Sequence, residues 1–137
     1  MKHLILTLAF FFLFFQGSLG QNLIGKSVDL IKKYMTAKYP KYYCDDTSLK
    51  GVHSSIKFID EDEMRTLMFF FDENNKCKYS KFIIDNTLIK VSLDSLNRKY
   101  EYKGNLVWIE QQKTKKFAIA MQKNEWFFTI IIQPKEN

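Results

Sequence analysis

Apolar positions along the chain change their period in a fixed order. Between Asn22 and Lys38, Ile24, Val28, Ile31 and Met35 recur at spacings of four, three and four, with Leu30 and Tyr34 widening the stripe. That is the signature of an amphipathic helix. The helix stops before Pro40, because a residue preceding proline is pushed toward extended geometry. Lys32, Lys33 and Lys38 in its second half suit the negative end of the helix dipole. Beyond a Tyr-rich connector at 39–50 the period becomes two, which predicts strands over Val52–Asp60, Arg65–Asp72 and Cys77–Ile84. The polar run Asp72 to Lys76 supplies the turn between the last two. Asp85-Asn86-Thr87 then offers N-cap chemistry, and Ile89, Leu93, Leu96 and Tyr100 repeat at four, three and four. A second helix ending near Lys99 follows from this pattern. Three more strands are predicted over Leu106–Glu110, Lys116–Gln122 and Trp126–Gln133, with Pro134 closing the last.

The resulting order, α-β-β-β-α-β-β-β, predicts an α+β domain: an antiparallel meander with both helices packed on one face. The two halves share an element order but no residue-level repeat. Some strands are apolar on both sides. Met68 and Phe70 oppose Leu67, Phe69 and Phe71, and Phe127 and Ile131 oppose Trp126, Phe128, Ile130 and Ile132. Two short helices cover one face of a sheet, so the second face has three possible fates. It curls on itself or is covered by the connector; it pairs with a second copy to make a homodimer; or it is an exposed binding surface.

The first twenty residues do not belong to this pattern. Lys2 and His3 precede a nearly unbroken apolar run from Leu4 to Phe15, and Ser18-Leu19-Gly20 forms a small-x-small triplet. The segment 1–20 reads as a cleaved secretory signal peptide, too short to span a bilayer, which needs about 20 apolar residues. Removing 20 of the 137 residues leaves 117, a single domain over 21–137. No cysteine follows the apolar run, so lipid anchoring in the bacterial lipoprotein manner is not expected. The expected location is secreted or periplasmic, without a membrane span.

Charge adds a partner class. The formal charge is +6. Acids concentrate in Asp60-Glu61-Asp62-Glu63 and Asp72-Glu73, which read as tips of neighbouring hairpins, while bases are scattered elsewhere. A basic exported protein either simply presents a lysine-rich solvated surface or favours anionic partners such as a membrane surface, acidic glycans or nucleic acid. With no recognisable nucleic-acid module and no clustered basic stripe, nucleic acid is not expected.

Candidate chemistry is sparse. Gly20 to Ser27 satisfies the phosphate-loop pattern G-x4-G-K-S. That loop needs a preceding strand, and here the signal segment stands in its place. His53 is the single histidine of the expected mature chain, and no G-x-S-x-G elbow occurs. The acidic run lacks the spacing and glycine of a calcium hand. No catalytic, cofactor-binding or metal residues are therefore assigned, and no cofactor is expected. Cys44 and Cys77 are a candidate disulfide, given an oxidising compartment and a connector able to supply the reach. Candidate binding residues are Tyr34, Tyr39, Tyr42 and Tyr43, which interleave with lysines and whose alternative role is to anchor the connector to the domain, together with Met68, Phe70, Phe127 and Ile131 of the two-faced strands.

Phe69-Phe70-Phe71-Asp72 running through a polar turn to Cys77, the helix end Leu96-Asn97-Arg98-Lys99-Tyr100 with Trp108 beyond, and the strand Glu125-Trp126-Phe127-Phe128-Thr129-Ile130 together give a resemblance. The chain resembles small exported bacterial α+β proteins of unassigned function. The helix–three strands–helix order is also similar to the secretion-chaperone type of fold, whose members are cytoplasmic and usually acidic, so that function is not transferred. The expectation is a non-catalytic module, secreted or periplasmic, that binds a protein or a cell-envelope component. The alternative is a small-ligand-binding domain with a pocket formed by a curled sheet. A carboxylate hydrolase is a third and weaker reading.

Overall fold

The computed structural model describes residues 22–50 and 54–136. The proposed signal segment, Val52 and His53 lie outside the described residues. Among the described residues the protein is a mostly-sheet α+β fold of two α-helices and eight strands: α1 (Val28–Lys38), β1 (Tyr42–Asp45), β2 (Ser55–Asp60), β3 (Arg65–Phe71), β4 (Cys77–Asp85), α2 (Ile89–Lys99), β5 (Glu101–Gly104), β6 (Val107–Gln112), β7 (Lys115–Lys123) and β8 (Phe127–Pro134). The predicted order omitted β1 and β5. Each is a four-residue strand directly after a helix, and the Tyr-rich connector proves to contain the first of them. Among the described residues no helix is long and apolar enough to cross a membrane.

Local chemistry sets the helix starts. The apolar stripe suggested a beginning near Asn22, but Gly25 takes a left-handed φ of +83° and the Ser27 hydroxyl accepts a hydrogen bond from the Leu30 amide at 3.3 Å. A capped start at Ser27 satisfies an amide that the helix itself leaves unpaired. Residues 25–27 are held instead by the start of β4, where the Gly25 amide donates to the Cys77 carbonyl and the Cys77 amide to the Lys26 carbonyl. At the second helix, the Asp85 carboxylate accepts from both the amide and the hydroxyl of Thr87, opening a 3-10 turn over Asn86–Leu88 that leads into α2. The acidic clusters form the β2–β3 and β3–β4 turns. There Asp72 accepts amides of Asn74 and Lys76, and the largely buried Asp60 accepts that of Arg65.

All strand pairings are antiparallel, and the sheet order is β1-β2-β3-β4-β8-β7-β6-β5. Each half of the chain therefore runs helix then four-stranded meander, and the halves meet where β4 pairs with β8. Lys81 lies opposite Ile131, the second of the six paired positions along that seam. The arrangement is an approximate twofold about the seam.

Side chains alternate across a sheet, and here alternation separates two faces. Ile56, Phe58, Leu67, Phe69, Phe71, Phe82, Ile84, Phe128, Ile130, Ile132, Phe117, Ile119, Met121 and Trp108 point one way, and all join one core cluster with Ile31 and Met35 of α1 and Leu96 of α2. We call this side the inward face. Trp108 is fully buried, and its indole N–H donates to the Asn97 side chain on α2 at 2.9 Å. That pairing matters because a buried donor without a partner costs about 1–3 kcal/mol.

The candidate bridge between Cys44 and Cys77 is not formed; both cysteines are free thiols. Strand order explains why. Cys44 sits on the edge strand β1, three strand spacings from β4, or about 14 Å across the sheet. Its row runs through Phe58 and Leu67 to Phe82, several residues along β4 from Cys77. A disulfide needs Cα atoms within about 7 Å.

Candidate functional site

The outward face is read off the registers in the same way. One row crosses most of the sheet: Lys57, Met68, Lys81, Ile131, Ala120 and Val107 lie side by side on successive strands. A second row holds Ile59, Thr66, Ile83 and Thr129. Beyond the first row on its other side, Phe70 faces Tyr79, and their rings stack at 4.4 Å with only 12° between planes. Lys78 adds a cation 5.9 Å from the Tyr79 ring centre. None of these outward apolar residues belongs to the core cluster, and most are half-buried by their own neighbours in the sheet.

The face is not uniformly apolar. Lys57 is 3.5 Å from the Asp45 carboxylate, whereas Lys81, near the centre, has no ion-pair partner among the described residues. Thr129, diagonal to Lys81 across the seam, is 3% exposed, and its hydroxyl has no hydrogen-bond partner. Among the described residues the result is a broad apolar band that includes the unpaired Lys81.

The outward face is not closed off by pairing of the two ends of the sheet. β1 and β5 are the two ends of the sheet order and do not pair, so the sheet is open. Nor is the connector a cover for the outward face. It forms β1 and a 3-10 turn over Thr47–Lys50, and its Tyr39, Tyr42 and Leu49 pack against the core.

The eight candidate binding residues separate accordingly. Met68, Phe70 and Ile131 come together on the outward face. Phe127 lies on the same side farther along the seam, opposite Asp85 and 39% exposed, and Tyr43 is exposed beside Ile59 on the edge strand. Tyr34, Tyr39 and Tyr42 are elsewhere. They form a chain of tilted and edge-on rings, with centroids 6.3 and 5.6 Å apart, that anchors the α1–β1 corner. Burial pushes the Tyr42 phenol above its ordinary range, consistent with a packing role. Reading the sequence missed Tyr79, Lys81, Ile83 and Thr129, although the period-two pattern of β4 places the first three on the same side.

Among the described residues no group of three or more His, Cys, Asp or Glu is placed to hold a metal ion. The buried Cys77 thiol is pushed up to about 12 by desolvation, so it is not a thiolate nucleophile at neutral pH. No protein-family model matches this chain, and neither a curated protein nor a solved structure does.

Proposed function

We propose that this chain is an exported, non-catalytic binding module, acting outside the cytoplasm, that docks a partner protein onto the outward face of its sheet. Both helices then pack on the inward face, and the second face is left for recognition. One observation carries the reading: Met68, Phe70, Ile83 and Ile131 form an apolar band that the core cluster does not use. Apolar patches of this kind on a folded surface mark interaction sites. The partner surface is apolar and carries a carboxylate for Lys81, whose charge would otherwise be desolvated without compensation. A second copy docked centre to centre fits less well, because it would set Lys81 against Lys81.

A photo-crosslinking residue at Met68, installed in the full chain and expressed in an exporting host, tests this. The expected result is a discrete adduct with a different protein, formed by a chain that begins at Gln21. The same residue at Leu30, exposed on α1, should give no such adduct. Equal labelling from both positions, or an adduct of two copies of this chain, would overturn the reading.

A further inference from the structure

A second feature lies away from the outward band and does not depend on it. At the outer end of the second half, an open cleft of about 870 Å³ lies between the end of α1, the α2–β5 junction and the far ends of β6 and β7. Its size falls in the range of small-molecule sites. Five lysines line it, against two glutamates.

The two acids are already engaged. Glu101 pairs with Lys103, and that hydrogen bond, more than the neighbouring Lys116 charge, holds the Glu101 carboxyl below its usual range. Glu110 accepts from the side-chain amides of Asn22 at 2.8 Å and Gln112 at 3.0 Å. Lys38, Lys99, Lys116 and Lys135 remain without an ion-pair partner among the described residues. They arrive from α1, α2, β7 and the segment after β8, so the fold has gathered like charges that chain connectivity did not force together. Like charges facing one concavity repel, and they focus a positive potential where an anion gains most. Tyr34 and Tyr100 supply the remaining character. Burial, with a smaller effect from Glu110, lifts the Tyr100 phenol to about 12, so it stays neutral and able to donate at any physiological pH. Lys99 lies 5.6 Å from its ring centre.

We propose that this cleft binds a short acidic saccharide, its sulfate or carboxylate groups met by Lys38, Lys99, Lys116 and Lys135 and a sugar ring placed against Tyr34. Four cations carried by separate elements around so large a space suit a ligand with several spaced charges rather than a single small anion. Tyrosine rings beside cations suit a ring bearing hydroxyls.

The test is calorimetric titration of the full chain with a sulfated heparin tetrasaccharide and, separately, with tetragalacturonate. The two arms distinguish sulfate from carboxylate as the recognised group, and inorganic phosphate serves as competitor. Binding of at least one saccharide is expected, weakening as salt is raised. Lys116→Glu combined with Lys135→Glu should weaken it at least about tenfold with an unchanged far-UV spectrum. The double variant Lys76→Glu, Lys90→Glu carries the same change in net charge on exposed residues outside the cleft and should bind as the parent does. Three results would overturn the proposal: no binding of either saccharide, equal weakening by both double variants, or complete displacement by inorganic phosphate at an equal concentration.

Discussion

The two halves of the chain build the same helix-plus-meander, yet they fill the two sides of the sheet by different rules. On the inward side the third strands agree in kind. Leu67, Phe69 and Phe71 of β3 are answered by Phe117, Ile119 and Met121 of β7, all buried in one core. On the outward side the same strands diverge: where the first half has Met68 and Phe70 on β3, the second has Ala118 and Ala120 on β7. The inward positions answer to close packing, which penalises any loss of volume. The outward positions of these strands do not, since β7 fills its share of that face with the methyl groups of Ala118 and Ala120. Bulk at Met68 and Phe70 is thus not demanded by the architecture, which is what makes that half of the outward face a candidate for recognition.

Alanine substitution is the most severe way to break this comparison. Phe69→Ala and Ile119→Ala should each destabilise the protein by about 2–5 kcal/mol in urea unfolding. Met68→Ala and Phe70→Ala, which make the first half resemble the second, should cost no more than about 1.5 kcal/mol, most of it the lost stacking of Phe70 on Tyr79. If Phe70→Ala were as damaging as Phe69→Ala, the outward face would be core and the contrast would fail.

A smaller effect is expected in alkali. The Tyr100 phenol, at the α2–β5 junction, is raised from about 10 to about 12 in the folded protein. An unfolded chain therefore ionises first, and the stability that Tyr100 contributes is fully present below pH 10 and lost as the pH climbs toward 12. Cys77 acts in the same direction from about 9 upward. Urea midpoints measured from pH 8 to 11.5 should fall, and Tyr100→Phe should flatten that fall. An identical slope in the variant would remove Tyr100 as its source.

The mildest test leaves the fold untouched. Cys44, on the exposed edge, should react with an aromatic disulfide reagent at pH 8, while Cys77 should react only after unfolding. Two equally fast thiols in native protein would show that the β3–β4 end of the first half is not packed as described.

Much of the fold was legible from periodicity. Both helical stripes, the inward residues of the six longer strands and their two-faced apolar character follow from spacing alone. What escaped notice has physical reasons. Tyr42–Asp45 and Glu101–Gly104 are short edge strands, mostly exposed, so burial never imposed a period of two on them. The start of α1 was set by Gly25 and Ser27, not by the apolar stripe that extends past them. Tyr39 and Tyr42 stayed open to two readings, because aromatic residues beside lysines read alike whether they anchor a corner or meet a ligand. The lysine-lined cleft could not be seen at all. Its four unpaired cations lie between residues 38 and 135 and look scattered until the strand order brings them together.

The seam between β4 and β8 has a consequence for how the chain comes to be folded. Every other pairing joins strands that follow one another, but the centre of the sheet joins Ser80 to Ile132. Closing it means forming a loop of about 50 residues, a slow step compared with any local hairpin. A chain delivered from its N-terminus reaches β8 after every other strand, so until then β4 ends in an unpaired edge bearing Phe82, Ile83 and Ile84. That delay keeps the sheet incomplete until the last strand is available. It also makes the interval before β8 joins the one in which the exposed β4 edge is most open to wrong pairing.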